Sequence, residues 1–83
     1  MDINDIRKRL IYRSWHRGTR EMDLILGSFA DRHVPEFSEM ELKEYDRILS
    51  FSDPDLYDWI AGKQQFPANL ASDLTRRLCE HTL

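Results

Sequence analysis

The spacing of apolar residues constrains the fold of this chain more than any other feature. Apolar residues recur at helical intervals in every segment, and no run of alternating β-branched residues is bounded by hairpin turns. In the second predicted helix, Met22, Ile25, Leu26 and Phe29 follow one another at i, i+3, i+4 and i+7, which places them on one face. The sequence therefore predicts an all-α protein.

Five helices are predicted, and several of their ends carry local signals. Gly18 ends the first helix, because glycine can take the left-handed conformation without a Cβ clash. Ser38 and Glu41 form an S-x-x-E capping box that opens the third, and Asp53 as cap with Pro54 at the first helical position opens the fourth. The predicted helices cover residues 4–16, 19–33, 38–49, 53–62 and 67–81, each to within a residue or two at its ends.

The length of the chain limits it to a single domain. Its 83 residues have room for one small core, and five short helices joined by brief connections imply a compact antiparallel bundle over residues 1–83. We expect the second helix to lie at the centre. A domain of this size has little stability to spare for a large internal cavity, so its function is expected on the surface.

The charge and the cysteine content exclude several classes of protein. Twelve basic and fifteen acidic side chains give a net charge of -3, which argues against nonspecific electrostatic binding to nucleic acid or anionic lipid. Cys79 stands alone, so no internal disulfide can form, and we expect it to be small, inert and partly buried. No apolar run is long enough for a membrane helix, and the N-terminus resembles no targeting signal. These features predict a protein of a reducing compartment without membrane insertion, and the N-terminus without a targeting signal favours the bacterial cytoplasm.

Motifs of enzymes and of metal or nucleotide sites are missing from the sequence. His16, His33 and His81 each lie near a predicted helix end, and none forms an H-x-x-x-H pair. The glycines stand too far apart for a phosphate-binding loop. We therefore expect no catalytic residue, no metal and no permanently bound cofactor.

The first candidate site is the junction of the first two helices, W-H-R-G-T-R-E at residues 15–21. Arg17 and Arg20 offer planar donor forks, and Glu21 can hold one of them in place. Gly18 lets another backbone approach closely, so the cluster suits protein recognition. A structural interpretation is also complete: Gly18 stops the helix, Glu21 lies beside the free amides of the next one, and the arginines are solvated.

The second candidate site is S-D-P-D-L-Y-D-W-I at residues 52–60, an acidic helix start rich in aromatic residues. A structural interpretation assigns Leu56, Trp59 and Ile60 to the core and the aspartates to the helix dipole. Tyr57 is left unexplained, because it points away from the apolar stripe.

These two segments resemble the landmarks of one known family. R-G-T-R-E at residues 17–21, followed by M-D-L, resembles the R-G-x-x-E signature of the small FAD assembly factors of succinate dehydrogenase, the SdhE family. D-P-D-L-Y-D-W-I at residues 53–60 resembles the second landmark of that family. The likeness extends from about Ile6 to Leu78. His16 stands where an arginine is frequent, and Thr19 where a larger apolar residue is frequent.

The resemblance implies an assembly factor rather than an enzyme. Members of the family bind the flavoprotein subunit of succinate dehydrogenase, and in some bacteria that of fumarate reductase, and promote covalent attachment of FAD to a histidine of that subunit. FAD is then the cofactor of the partner. Arg17 and Glu21 are expected to anchor the partner through charge-assisted hydrogen bonds. The expected partner-binding residues are His16, Arg17, Gly18, Arg20, Glu21 and Asp23, and the second landmark is matched, without a clear role, by Asp55, Leu56 and Trp59.

A small helical nucleic-acid or regulatory binding module is the competing class. It is suggested by the basic run R-K-R at residues 7–9. A recognition helix should project several basic or amide side chains from one face, whereas the helix after Gly18 offers mainly acids and apolar residues. A self-contained enzyme is a third possibility, but it would need a reactive constellation that the sequence lacks.

Overall fold

The computed structural model describes residues 2–81, and helices account for most of them. The all-α prediction is confirmed, and no strand occurs within residues 2–81. No helix in this part of the chain has both the length and the apolar character needed to cross a membrane. The elements are α1 (Ile3–Trp15), α2 (Arg20–His33), a 3-10 turn (Val34–Glu36), α3 (Glu39–Leu49), α4 (Asp53–Ile60) and α5 (Asp73–Glu80).

The apolar faces of the helices meet in one core. α1 packs mainly on α2, and also on α3 and the 3-10 turn, while α3 and α4 pack on α5. α2 therefore shares the central position with α1. The side chains that are almost completely buried include Leu10, Leu26, Phe29, Val34, Phe37, Tyr45, Leu56, Leu74 and Leu78.

One polar group is satisfied inside this core. The Tyr45 hydroxyl lies 2.6 Å from Ser14 Oγ, and Ser14 Oγ donates to the Leu10 carbonyl at 2.8 Å. The single hydroxyl hydrogen of Ser14 is used in that bond, so Tyr45 donates to Ser14. Burial raises the pKa of the Tyr45 phenol far above its usual range, which keeps it a donor.

Two glycines have positive φ angles, Gly18 as predicted and Gly62 at the predicted end of the fourth helix. The φ angle is +124° at Gly18 and +81° at Gly62, and both follow helix ends. The Ser38 and Glu41 capping box at the start of α3 is also confirmed. α2 ends at His33 as predicted, and the chain continues through the 3-10 turn that contains Pro35.

The predicted start of the fifth helix is wrong. Residues 67–71 form a separate turn, in which the Leu70 amide donates to the Pro67 carbonyl at 2.9 Å. The helix begins only at Asp73, because Ser72 is extended and forms a capping box with Thr75. The period of the leucines continues across this break, which made one long helix the simpler prediction.

The cap of α4 also differs from the prediction. Ser52, not Asp53, is the N-cap, and its side chain accepts the Asp55 amide at 3.4 Å. Pro54 is consequently the second helical residue, not the first. The physical reason is that the Asp53 carboxylate is engaged by an arginine from another part of the chain.

Candidate functional site

The junction between α1 and α2 is held from within by Asp23. Its Oδ1 accepts the backbone amide of Arg17 at 2.5 Å and that of Gly18 at 3.4 Å. Asp23 was expected to contact a partner, but its carboxylate caps the junction of its own chain. Thr19 completes the turn as the N-cap of α2.

The Arg17 side chain is largely buried against its own chain, although the sequence suggested that it anchors a partner. Its Nε donates to Asp53 Oδ1 at 2.8 Å, and its two terminal nitrogens donate to the carbonyls of Leu49 and Phe51 at 2.5 and 2.6 Å. The side chain is only 12% exposed. Arg17 thus joins the α1–α2 junction to the end of α3 and the start of α4, and it positions other residues.

Glu21 behaves differently from Arg17. Its side chain is exposed and forms no hydrogen bond or ion pair within residues 2–81, so the expected contact with an arginine is not made. Arg20, its neighbour, is exposed as well. These two charges are therefore available to a partner on the outer surface of the junction.

His16 and Gly18 also lie on the exposed side of the junction. The His16 ring stacks on Tyr12 with centroids 3.9 Å apart, and its Nδ1–H donates to the Tyr12 carbonyl at 2.7 Å. Nε2 of His16 makes no contact of this kind in the described part of the chain. A Cβ on Gly18 would have its nearest neighbour, Asp53 Oδ2, at 4.0 Å, so backbone conformation rather than crowding requires glycine here.

The second landmark divides between core and surface. Leu56 is fully buried, and Trp59 packs against Phe51 and Phe66 with ring centroids 5.3 Å apart in both pairs. These two residues support the fold, as the structural interpretation has it. Asp55 is exposed.

A cleft joins the two landmarks between the starts of α2 and α4. Its volume is about 240 Å³, and most of its surface is apolar. Tyr57, which the sequence left unexplained, forms one wall. The residues that line the cleft are Thr19, Glu21, Met22, Asp53, Pro54 and Tyr57. Of these residues only Glu21 was named as partner-binding, although all except Met22 lie in the two candidate segments at residues 15–21 and 52–60. The spacing of Pro54 and Tyr57 at i, i+3 was a signal that they share a face.

No arrangement for metal binding is found in the described residues. No group of three or more histidine, cysteine or acidic side chains within residues 2–81 could hold a metal ion. Cys79 is exposed rather than partly buried as expected, and its Sγ lies 3.7 Å from the Trp59 carbonyl oxygen. Desolvation at the sulfur raises the thiol pKa, which disfavours the reactive thiolate.

Comparison with known proteins identifies one family. The family model described as "Flavinator of succinate dehydrogenase" matches residues 8–82, which include both landmarks. The chain is similar to the "FAD assembly factor SdhE" of Acetobacter pasteurianus, with 36% identity over 74 residues that make up 89% of this chain and 68% of that protein.

The chain is also similar to eukaryotic proteins named "Succinate dehydrogenase assembly factor 2, mitochondrial". The protein of Dictyostelium discoideum is 35% identical over 80 residues, which cover 96% of this chain and 57% of the relative. The protein of Aspergillus flavus is 40% identical over 72 residues, which cover 87% of this chain and 25% of the relative. The chain thus spans only part of the length of these relatives.

Proposed function

The chain belongs to the family of flavinators of succinate dehydrogenase, and from this premise we propose that it binds the flavoprotein subunit of that enzyme and promotes covalent attachment of FAD to one of its histidines. The names of the family and of its members are those of assembly factors. FAD is accordingly the cofactor of the partner. The flavoprotein subunit of fumarate reductase is proposed as a second partner of the same kind.

The Arg17–Asp53 ion pair is the observation that supports this function most directly. It brings both family landmarks to one place, with Arg17 and Asp53 turned inward. The side chains of His16, Arg20 and Glu21 remain exposed around Gly18. We infer that this outer surface contacts the partner, and that Arg17 and Asp23 act by holding it in shape.

The proposed mechanism is positioning. Joining a histidine nitrogen to the flavin requires the two reacting atoms to be held at attack distance, and such positioning can supply a large part of a reaction barrier. The described residues contain no arrangement of side chains that would form the bond themselves. The assembly factor therefore stabilises a reactive arrangement of the flavoprotein subunit, which provides the histidine.

The site is tested by coexpressing the chain with a flavoprotein subunit and measuring covalent flavin by in-gel fluorescence. Gly18→Arg places bulk and charge at the surface and should abolish flavinylation, whereas Gly18→Ala adds a similar backbone strain without that bulk and should retain most of it. Circular dichroism verifies that both variants fold. Normal covalent flavin with Gly18→Arg would contradict the proposed site.

The contribution of Glu21 is measured separately. Glu21→Ala removes an exposed carboxylate with no partner in the described chain, so recovery of the flavoprotein subunit in a pull-down should fall while folding is unaffected. Unchanged recovery of the flavoprotein subunit would show that Glu21 does not contribute to the interface.

The compartment is also part of the proposal. We propose the bacterial cytoplasm on the likeness to the Acetobacter protein. Relatives of comparable identity are mitochondrial, so fractionation of the source cell is the deciding measurement.

The nucleic-acid alternative receives no support from the geometry. Arg7 does not join a basic surface, because its guanidinium donates to Asn4 Oδ1 and to the Phe37 carbonyl at 3.1 and 2.9 Å. In the basic run at residues 7–9, Arg7 is therefore partly buried, and only Lys8 and Arg9 are exposed.

A further inference from the structure

We propose that the cleft between α2 and α4 receives one basic side chain, an arginine or lysine, from the partner protein. Its aliphatic part would pack on Met22, Pro54 and Tyr57, and its charge would lie beside Glu21. The identity of the protein that carries this side chain rests on the proposed function. The chemistry of the occupant rests on the cleft alone.

The lining of the cleft suits a long side chain with a charged end. Met22 is 3% exposed and closes the cleft from the core side, while Pro54 and Tyr57 add apolar surface towards solvent. Arginine and lysine bury their methylene groups along apolar surface and keep their charge near water. An open cleft of about 240 Å³ meets both needs.

Among the residues that line the cleft, the only charge without an ion-pair partner within residues 2–81 is negative. Two carboxylates line it, Glu21 and Asp53, but Asp53 is already paired with Arg17. Glu21 is exposed and makes no ion pair within residues 2–81. A cation entering the cleft would therefore find one unneutralised carboxylate at its rim, and it would be attracted by it.

The two helix starts do not make this cleft a site for an anion. Helix N-termini attract anions through free amides, but Thr19 Oγ1 already accepts the Met22 amide at 3.2 Å and Ser52 Oγ the Asp55 amide at 3.4 Å. An anionic occupant would also approach Glu21. The electrostatics thus favour a basic occupant over an acidic one.

Tyr57 already interacts with a cation of its own chain. Nζ of Lys63 lies 5.3 Å from the centroid of the Tyr57 ring, although Lys63 is not part of the cleft lining. This distance is within the range of a cation–π contact. Because the planar guanidinium stacks on aromatic rings as well as pairing with carboxylates, we expect arginine to bind more tightly than lysine.

The test uses short capped peptides of the form Gly-X-Gly, in which X is arginine, lysine, norleucine or glutamate. Each is titrated into the full-length, isotope-labelled protein while amide chemical shifts are recorded by NMR. The arginine and lysine peptides should shift the amides of residues 19–22 and 55–57 in a saturable way. The norleucine and glutamate peptides should have little effect there.

Variants separate the contributions of charge and surface. Glu21→Gln should weaken binding of the arginine peptide about threefold to fivefold, the size expected for an exposed ion pair. Glu39→Gln is the matched control, because Glu39 is an exposed glutamate in the first turn of α3, and it should leave binding unchanged. Tyr57→Leu should favour the lysine peptide relative to the arginine peptide, because the ring is lost.

Several outcomes would overturn the inference. Equal binding of the norleucine and arginine peptides would indicate a purely apolar occupant. Saturable binding of the glutamate peptide would indicate an anionic occupant. No shifts with any peptide would show that the cleft binds none of these side chains. These titrations contain no flavoprotein subunit, so they can fail while flavinylation still depends on Gly18 and Glu21. Loss of that dependence would instead contradict the proposed function.

Discussion

Arg17 Nε lies 2.8 Å from Asp53 Oδ1, and this ion pair connects two segments that are 36 residues apart in the chain. The side chains are 12% and 17% exposed, so the pair is largely withdrawn from water. The remaining guanidinium nitrogens of Arg17 bind the carbonyls of Leu49 and Phe51. The pair therefore holds the end of α3, the start of α4 and the α1–α2 junction in one arrangement.

Removing Arg17 should destabilise the protein substantially. Arg17→Ala leaves the Asp53 carboxylate and two carbonyls without their donors, and we expect the free energy of unfolding to fall by about 2–4 kcal/mol. Arg17→Lys should recover only part of it, because one ammonium cannot reach all three acceptors. Urea denaturation followed by circular dichroism measures both.

Arg13→Ala is the control for this experiment. Arg13 pairs with Asp46 at 2.5 Å, but the two side chains are 38% and 60% exposed. Its loss should change the free energy of unfolding by no more than about 1 kcal/mol. If the Arg13 and Arg17 variants proved equally stable, the structural importance of the Arg17–Asp53 pair would be refuted.

Gly27 in α2 should tolerate no larger residue. A Cβ at this position would lie 2.5 Å from Cε2 and Cε3 of Trp15, whose indole covers the glycine and donates to Asp31 at 3.2 Å. Gly→Ala inside a helix ordinarily stabilises it by about 1 kcal/mol. Gly27→Ala should do the opposite and lower stability by about 1–3 kcal/mol, since the indole must move. Trp15 fluorescence and urea denaturation report both effects.

A double variant checks that the indole is the cause. Trp15→Ala removes the group that collides with the new Cβ. Adding Gly27→Ala to Trp15→Ala should therefore be neutral or stabilising. A second loss of similar size in this background would show that Gly27 is required for another reason.

Stability should fall in mildly acidic solution. His33 and His81 pack around Phe29 with their own centroids 6.4 Å apart. Burial lowers the pKa of both from the ordinary value of 6.5, with smaller contributions from Arg77 and Arg32 at His33 and from Arg32 at His81. The unfolded chain then takes up protons more readily than the folded one. The free energy of unfolding should consequently decrease as the pH drops below about 6.5.

The hydrogen bonds of His81 also favour its neutral form in the folded protein. Ser28 Oγ donates to the Leu24 carbonyl at 2.6 Å, so it accepts from Nε2 of His81, 2.8 Å away. Nδ1 of His81 is buried and has no hydrogen-bond partner within residues 2–81, so a proton there would be costly. The variant His33→Phe/His81→Gln should have a flatter dependence of stability on pH between 5 and 7. An equally steep profile would assign the effect to other groups.

Mutation of Asp23 should mainly lower stability, whereas mutation of Glu21 should mainly reduce flavin attachment. Asp23→Ala removes the acceptor for the Arg17 and Gly18 amides and should lower the free energy of unfolding by about 1–2 kcal/mol. Glu21→Ala removes an exposed side chain and should change stability by less than about 0.5 kcal/mol. Flavin attachment should be reduced by Glu21→Ala at temperatures where both proteins are fully folded. A stability loss for Glu21→Ala equal to that of Asp23→Ala would contradict this division.

The local features of the fold could be predicted because they depend on neighbouring residues. The stops at Gly18 and Gly62 and the capping box of Ser38 and Glu41 are encoded within a few positions. The error at α5 has the same origin. The leucine period continues through residues 67–80, whereas the extended Ser72 interrupts the helix there. The spacing of the leucines alone does not predict that the helix is interrupted at Ser72.

The sequence by itself determined the helical class, most helix ends and the two segments that mark the family. Only the tertiary structure decided which of their residues face outward. Arg17 and Glu21 look equivalent as charged neighbours of Gly18, but Arg17 is buried by acceptors 32 to 36 residues away, and Glu21 is left exposed. The same packing forms the cleft at Tyr57 and covers Gly27 with Trp15. These relationships depend on how distant helices meet, whereas periodicity and capping act only along one helix.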